Sequence, residues 1–167
     1  MRMLYMLTRM DGGAQARKQF AAADNMTQQL AALNALLIED MGQAETEAFY
    51  QQWQGDRLVM DKWFASQVAF ANPETCADTA EKLTQHPLFE MTNPNRFRAV
   101  FGALAMNQAG FHHPSGKGYS LLADWLIKLD AKNPQTTARM CTAFQTWRRY
   151  DASRQSMMQA QLERILA

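Results

Sequence analysis

Two Asn-Pro pairs, Asn93-Pro94 and Asn133-Pro134, each stand directly before a run whose apolar residues recur at helical spacing. Asn at an N-cap accepts a hydrogen bond from an orphaned backbone N–H, and Pro at the first helical position removes an N–H that has no partner there. After Pro94 the apolar positions are Phe97, Val100, Phe101 and Leu104, at i, i+3, i+4 and i+7; after Pro134 they are Met140, Phe144 and Trp147. Both stripes need a partner. Between them the sequence predicts a long loop, Met106 to Gly118, and a third helix, Tyr119 to Asp130, with Leu122, Trp125, Leu126 and Leu129 on one side. This grammar commits the chain to helices packed on helices.

The remaining residues obey the same rule. Met3, Met6, Leu7 and Met10 mark an opening helix with no capping residue ahead of it, ended by Asp11-Gly12-Gly13, and a short helix from Ala14 to Ala22 comes next. Asn25 caps a helix carrying Met26, Leu30, Leu33 and Leu37, which Gly42 stops. A helix from Gln43 to Gln54 has Glu45 and Glu47 at its start, where acidic groups suit the macrodipole. Asp56 caps the next, Arg57 to Ala71, and Asn72-Pro73 repeats the cap-plus-proline device ahead of a helix from Glu74 to Gln85. Asp151 caps a last helix with Leu162, Ile165 and Leu166. That makes roughly ten helices, and no segment of period two reads as a strand. Antiparallel neighbours joined by short turns close into a bundle or stack as an array of pairs, and the pattern alone fits both.

The 47% of hydrophobic residues excludes a disordered tail, and 167 residues suffice for one domain with a core of its own. A net charge of +1 argues against a dedicated nucleic-acid or membrane-surface binder, so no nucleic acid and no membrane are expected as partners. The charge is uneven: residues 1–90 hold 7 Lys+Arg against 12 Asp+Glu, and residues 91–167 hold 10 against 4. Cys76 and Cys141 form no C-x-x-C pair, which fits a reducing compartment. No run approaches the 18 or so apolar residues of a membrane span, and Arg9 interrupts Met1 to Leu7 before it could serve as a signal peptide. A cytoplasmic location is expected.

Several residues in uncommon register carry a resemblance: N-P-N-R-F-R from Asn93, F-H-x(3)-G-x-G-Y-S-L-L-A-D from Phe111, N-P-Q-x(3)-R from Asn133 and W-R-R-Y-D-A-x-R-Q from Trp147. In this order the chain resembles the C-terminal domain of bacterial aminopeptidase N, the zinc alanyl aminopeptidase, closely over residues 91–166. A-D-N-M-T-x(2)-L-A-A-L, ending at Leu33, fits that domain's opening helices. The family's H-E-x-x-H is nowhere in these residues. The resemblance therefore implies an all-α domain of antiparallel helix pairs stacked as an armadillo- or HEAT-like superhelix. It implies residues 1–167 as one C-terminal helical domain, with the catalytic domain of the same enzyme as partner, peptides as substrates, and zinc in the full-length enzyme but none in this chain.

The residues themselves offer no catalytic group. Adjacent His112 and His113 point apart on any regular element and lack a third ligand at metal spacing, so loop or capping roles are expected of them. Gly110 to Lys117 departs from a phosphate loop in its glycine spacing, with Gly118 where Ser or Thr must stand. No G-x-S-x-G elbow exists, and neither thiol has an evident base. Arg98 and Arg139 sit at the margins of apolar stripes, where an arginine ordinarily snorkels over the helix surface or binds a carbonyl. The resemblance gives those two positions another role, since the matching arginines face the parent enzyme's internal cavity, near the substrate's path. A guanidinium suits such a place because it stays charged and can hold a carboxylate bidentately. The chain by itself is expected to be inactive, capping the active site and lining the access cavity of an aminopeptidase; the alternative is a free-standing helical-repeat adaptor that binds a partner protein in its groove.

Overall fold

A computed structural model describes residues 2–167, apart from the side chain of Arg2. Helices account for the regular structure throughout, with no strand among the described residues. The first three, α1 (Arg2–Asp11), α2 (Ala14–Ala22) and α3 (Met26–Ile38), pack on one another around Ala16, Ala35 and Leu36. The turn between α1 and α2 is tight because Gly13 adopts φ 85°, and a Cβ there would stand 2.7 Å from Leu36 Cδ2. Asn25 caps α3 by accepting from Gln28 N at 3.0 Å. The helices α4 (Gln43–Trp53) and α5 (Arg57–Ala69) come next, Asp56 accepting from Leu58 N and Val59 N at the start of α5.

At Asn72-Pro73 the expected cap makes only a turn. Asn72 accepts from Glu74 N at 3.1 Å and its carbonyl from Thr75 N at 3.0 Å, but Thr75 makes no side-chain cap bond and α6 (Cys76–Thr84) starts only after it. The next start behaves as expected: Asn93 accepts from Asn95 N and Arg96 N, opening α7 (Pro94–Phe97). Beyond Phe97 the chain departs from a plain α-helix. A π turn, Arg98–Gly102, precedes α8 (Ala103–Met106). Ala99, Val100 and Phe101 are all buried, and three consecutive inward residues need a broader face than one α-helical stripe offers.

The loop expected from Met106 to Gly118 is partly helical. Asn107 accepts from Gly110 N to cap α9 (Gln108–Phe111), while its amide donates to the carbonyls of Val68 and Ala71 at the end of α5. Gly116, at φ 68°, leads into α10 (Lys117–Asp130), which starts two residues earlier than expected. Asn133 accepts from Thr136 N to cap α11 (Pro134–Met140), but the helix does not reach Trp147. It tightens into 3-10 turns, Cys141–Phe144 and Trp147–Arg149, and the Thr142 hydroxyl donates to the Arg139 carbonyl. Asp151 then caps α12 (Ala152–Leu166), accepting from Arg154 N at 3.1 Å.

Packing partners keep to chain order. The helix α5 meets α3, α4, α6 and the residues 94–106 helix; α6 meets α9 and α10; α10 meets α11 and α12. Such neighbour-to-neighbour contact is the array alternative rather than a closed bundle. One apolar cluster threads from Leu33 through Phe64, Phe101 and Leu122 to Met158. A charge is fixed inside it: Arg96, 4% exposed, donates to Asp61 at 2.6 Å and to the carbonyls of Leu88 and Arg57, with its guanidinium 4.7 Å over the Phe64 ring.

Candidate functional site

The starts of α7 and α11 lie beside each other and enclose a recess of about 570 Å³ walled by Pro94, Arg98, Asn133, Gln135, Thr136 and Arg139. Both sequence-predicted arginines are on its wall, though 41 positions separate them along the chain. Both are solvent-exposed. Arg98 is held in place, Nε donating to the Pro94 carbonyl at 3.1 Å and NH2 to Asn95 Oδ1 at 2.6 Å. The Arg139 side chain has no hydrogen bond or ion pair among the described residues, so its donors remain available. Among the described residues no acidic side chain lines the recess. Two permanent cations with nothing to neutralise them can receive a carboxylate or a row of carbonyl oxygens, and the neighbouring Thr and Gln side chains add neutral donors.

Other candidates separate. His112 is buried, its Nδ1 2.8 Å from the Tyr119 hydroxyl and its ring stacked on Tyr150 at 4.0 Å, and Arg154 Nε donates to its carbonyl at 2.6 Å. His113 is half-buried and pairs with Ser115. The adjacent histidines thus serve different neighbourhoods. Burial pushes the Cys76 thiol up to about 11 and also raises Cys141, the opposite of what a nucleophilic thiol needs. Tyr119 is pushed up to about 12, mainly by burial, so it stays a neutral hydrogen-bonding group. Lys117, at the end of the loop compared with a phosphate site, pairs instead with Asp78 at 3.1 Å.

A larger recess of about 630 Å³ lies between α4, α5 and α6, where Tyr50, Trp63 and His86 pack on one another with centroids 5.2 Å apart. Its rim mixes Asp40 and Glu47 with Lys82, and it brings no nucleophile to a base. Among the described residues no three His, Cys, Asp or Glu side chains converge as a metal would require, so none of them fits zinc. The residue that sequence reasoning missed is Arg96: it belongs to the same N-P-N-R-F-R run as Arg98, yet lies inside the core while Arg98 faces the recess.

These features define a class: an all-helical array domain that shapes and charges a recess without a catalytic constellation among its described residues. A family model described as "Domain of unknown function (DUF3458_C) ARM repeats" matches residues 1–167, and the chain belongs to that family. It is 45% identical over 153 residues to aminopeptidase N of Caulobacter vibrioides, covering 89% of this chain and 17% of that protein. It is 42% identical over 160 residues to aminopeptidase N of Haemophilus influenzae, covering 92% and 18%. Among solved structures it is similar to Legionella pneumophila aminopeptidase A in complex with aspartic acid, with a TM-score of 0.87 and 32% identity over 93% of this chain and 19% of that one. The chain therefore spans less than a fifth of these relatives, and it is similar in sequence to bacterial aminopeptidase N and in fold to a bacterial aminopeptidase A.

Proposed function

We infer that residues 1–167 form the C-terminal, non-catalytic domain of a zinc-dependent aminopeptidase that removes N-terminal residues from peptides, and that the domain caps the active site and lines the route to it. In this reading zinc and its ligands belong to another part of the longer protein, in the cytoplasm. No helix among the described residues is long and apolar enough to cross a membrane. The observation that carries the reading is the acid-free recess with Arg98 and Arg139 on one wall. A peptide whose N-terminus lies at a distant metal still has a carboxylate at its other end. Two exposed guanidiniums, one braced by Pro94 and Asn95, are suited to hold it. The residues supply binding and orientation only; they abstract no proton and attack no bond.

The test is Arg139→Gln in the full-length enzyme. Arg139 is exposed, so its replacement leaves the fold intact. A hydrogen bond to a charged group contributes about 1.5–3 kcal/mol, so KM for a tripeptide with a free carboxylate rises about tenfold or more. KM for an aminoacyl anilide, which has no carboxylate, stays as it was. Equal effects on the two substrates, or none on either, would sink the carboxylate role.

A further inference from the structure

The recess between α4, α5 and α6 shares no lining residue with the one that holds Arg98 and Arg139, and its 630 Å³ is of the size usual for small-molecule sites. Two of its walls are helix faces lined with polar groups. Gln43, Glu47 and Tyr50 follow one another at spacings of four and three along α4, and Thr75, Thr79 and Lys82 repeat that spacing from the turn before α6 into the helix. The floor is held in place. Trp63 of α5 donates from Nε1 to the Thr46 carbonyl at 3.0 Å, and Tyr50 and His86 pack on its ring. His86 Nδ1 accepts from Leu88 N at 3.2 Å, so the neutral imidazole carries its proton on Nε2.

Charges on this recess differ from those close by. Glu39 and Glu45 pair with Arg9 and Arg17, and Asp78 on α6 pairs with Lys117. Asp40 and Lys82 line the recess, are exposed, and make no side-chain hydrogen bond or ion pair among the described residues; Glu47 receives the Gln51 amide at 2.7 Å and no cation. Acid on the α4 side of a pocket and base on the α6 side complement a ligand that is itself a zwitterion. Length selects within that class. Both α4 and α6 pack on α5, and neighbouring helix axes are about 8–10 Å apart, so the two walls stand further apart than the ammonium and carboxylate that share one carbon in a free amino acid. An extended chain advances about 3.3–3.6 Å per residue, which sets the charged ends of a di- or tripeptide about 7–10 Å apart.

We propose that this recess is a second peptide site, taking a zwitterionic di- or tripeptide whose ammonium faces Asp40 and Glu47, whose carboxylate faces Lys82, and whose first side chain is apolar and lies against Tyr50 and Trp63. The site is separate from Arg98 and Arg139 and takes part in no bond cleavage. The test is a calorimetric titration of Phe-Ala into the full-length polypeptide, its reactive centre saturated with phenylalanine hydroxamate so that the peptide is neither cleaved nor bound there. One Phe-Ala binds per chain. Phe-Ala amide and N-acetyl-Phe-Ala each lack one charged end and bind about tenfold or more weakly. Lys82→Gln weakens Phe-Ala by a similar factor and leaves the amide as it was, because the partner it removes is that of the carboxylate. The absence of binding, an equal loss for both peptides in Lys82→Gln, or free phenylalanine binding as tightly as Phe-Ala would overturn the proposal. A tenfold loss of Phe-Ala in Arg139→Gln would place the peptide in the other recess and overturn it too. Anilide cleavage without the hydroxamate is read on the same preparation, so failure of the aminopeptidase reading shows on its own.

Discussion

Each of the three guanidinium nitrogens of Arg96 donates to a partner within the protein. Its guanidinium reaches one carboxylate, Asp61, and two main-chain carbonyls from different segments, those of Leu88 and Arg57, and its flat face covers Phe64. Removing one member of a buried ion pair leaves the other desolvated and uncompensated, which costs about 3–5 kcal/mol. Arg96→Ala is therefore expected to lower stability to urea by that amount, and Arg96→Lys to recover little, because an ammonium cannot fork to three acceptors on separate segments. A loss within about 0.5 kcal/mol, the range of ordinary surface changes, would show that the clamp contributes nothing. Nothing local in N-P-N-R-F-R tells Arg96 from Arg98. Their fates are decided by Asp61, 35 positions upstream, and by the start of α11, both visible only once the chain has folded.

Helices were readable in proportion to how local their causes are. Asn25, Asp56, Asn93, Asn133 and Asp151 each cap as their positions predict, since a cap is a bond between residues two or three apart. Asn72 looks the same in sequence and makes its turn, yet α6 starts only at Cys76, where it meets α9. That meeting is close: a Cβ on Gly110 would stand 2.5 Å from Cys76 Cβ and 2.8 Å from its Sγ. Gly110→Ala is expected to destabilise the protein by about 1–3 kcal/mol as an overpacking change. Cys76→Ala does not relieve it, since the Cβ in the way remains, so the double variant melts no higher than Gly110→Ala alone in a thermal scan. Recovery in the double variant would mean that the sulfur alone was the obstacle. The short helix α9 and the 3-10 ending of α11 were illegible for the same reason. They answer to partners such as Val68, Ala71 and Phe111 rather than to periodicity.

Two histidines make the array as a body sensitive to acid. Burial, and then the Arg96 guanidinium, holds His86 below its ordinary value, while Glu47 opposes; burial and then Arg154 do the same at His112. A histidine whose folded value is depressed favours the fold when neutral, so its contribution is complete above the unfolded value of about 6.5 and is lost as pH falls from there through the folded value. Urea midpoints are expected to fall between about pH 7.5 and 5, and His112→Phe to flatten that slope; a slope unchanged in the variant would assign the acid sensitivity elsewhere. At this level the sequence is most informative about architecture, because amphipathic runs, most of them capped from Asn25 on, succeed one another from Met3 to Leu166. It was least informative about convergence. Only family likeness singles out Arg98 and Arg139, and no spacing rule brings positions 41 apart to one wall.

The π turn at Arg98–Gly102 amounts to one surplus residue between the caps at Asn93 and Asn107. Each residue of an α-helix rotates the downstream chain by about 100°. Deleting any one of the five would wind the turn tight, swing Leu104 out of the core and carry the Asn107 amide away from Val68 and Ala71. The segment's length, as much as its lettering, is thus under constraint: this is a place where a homologue can exchange side chains but not drop a codon.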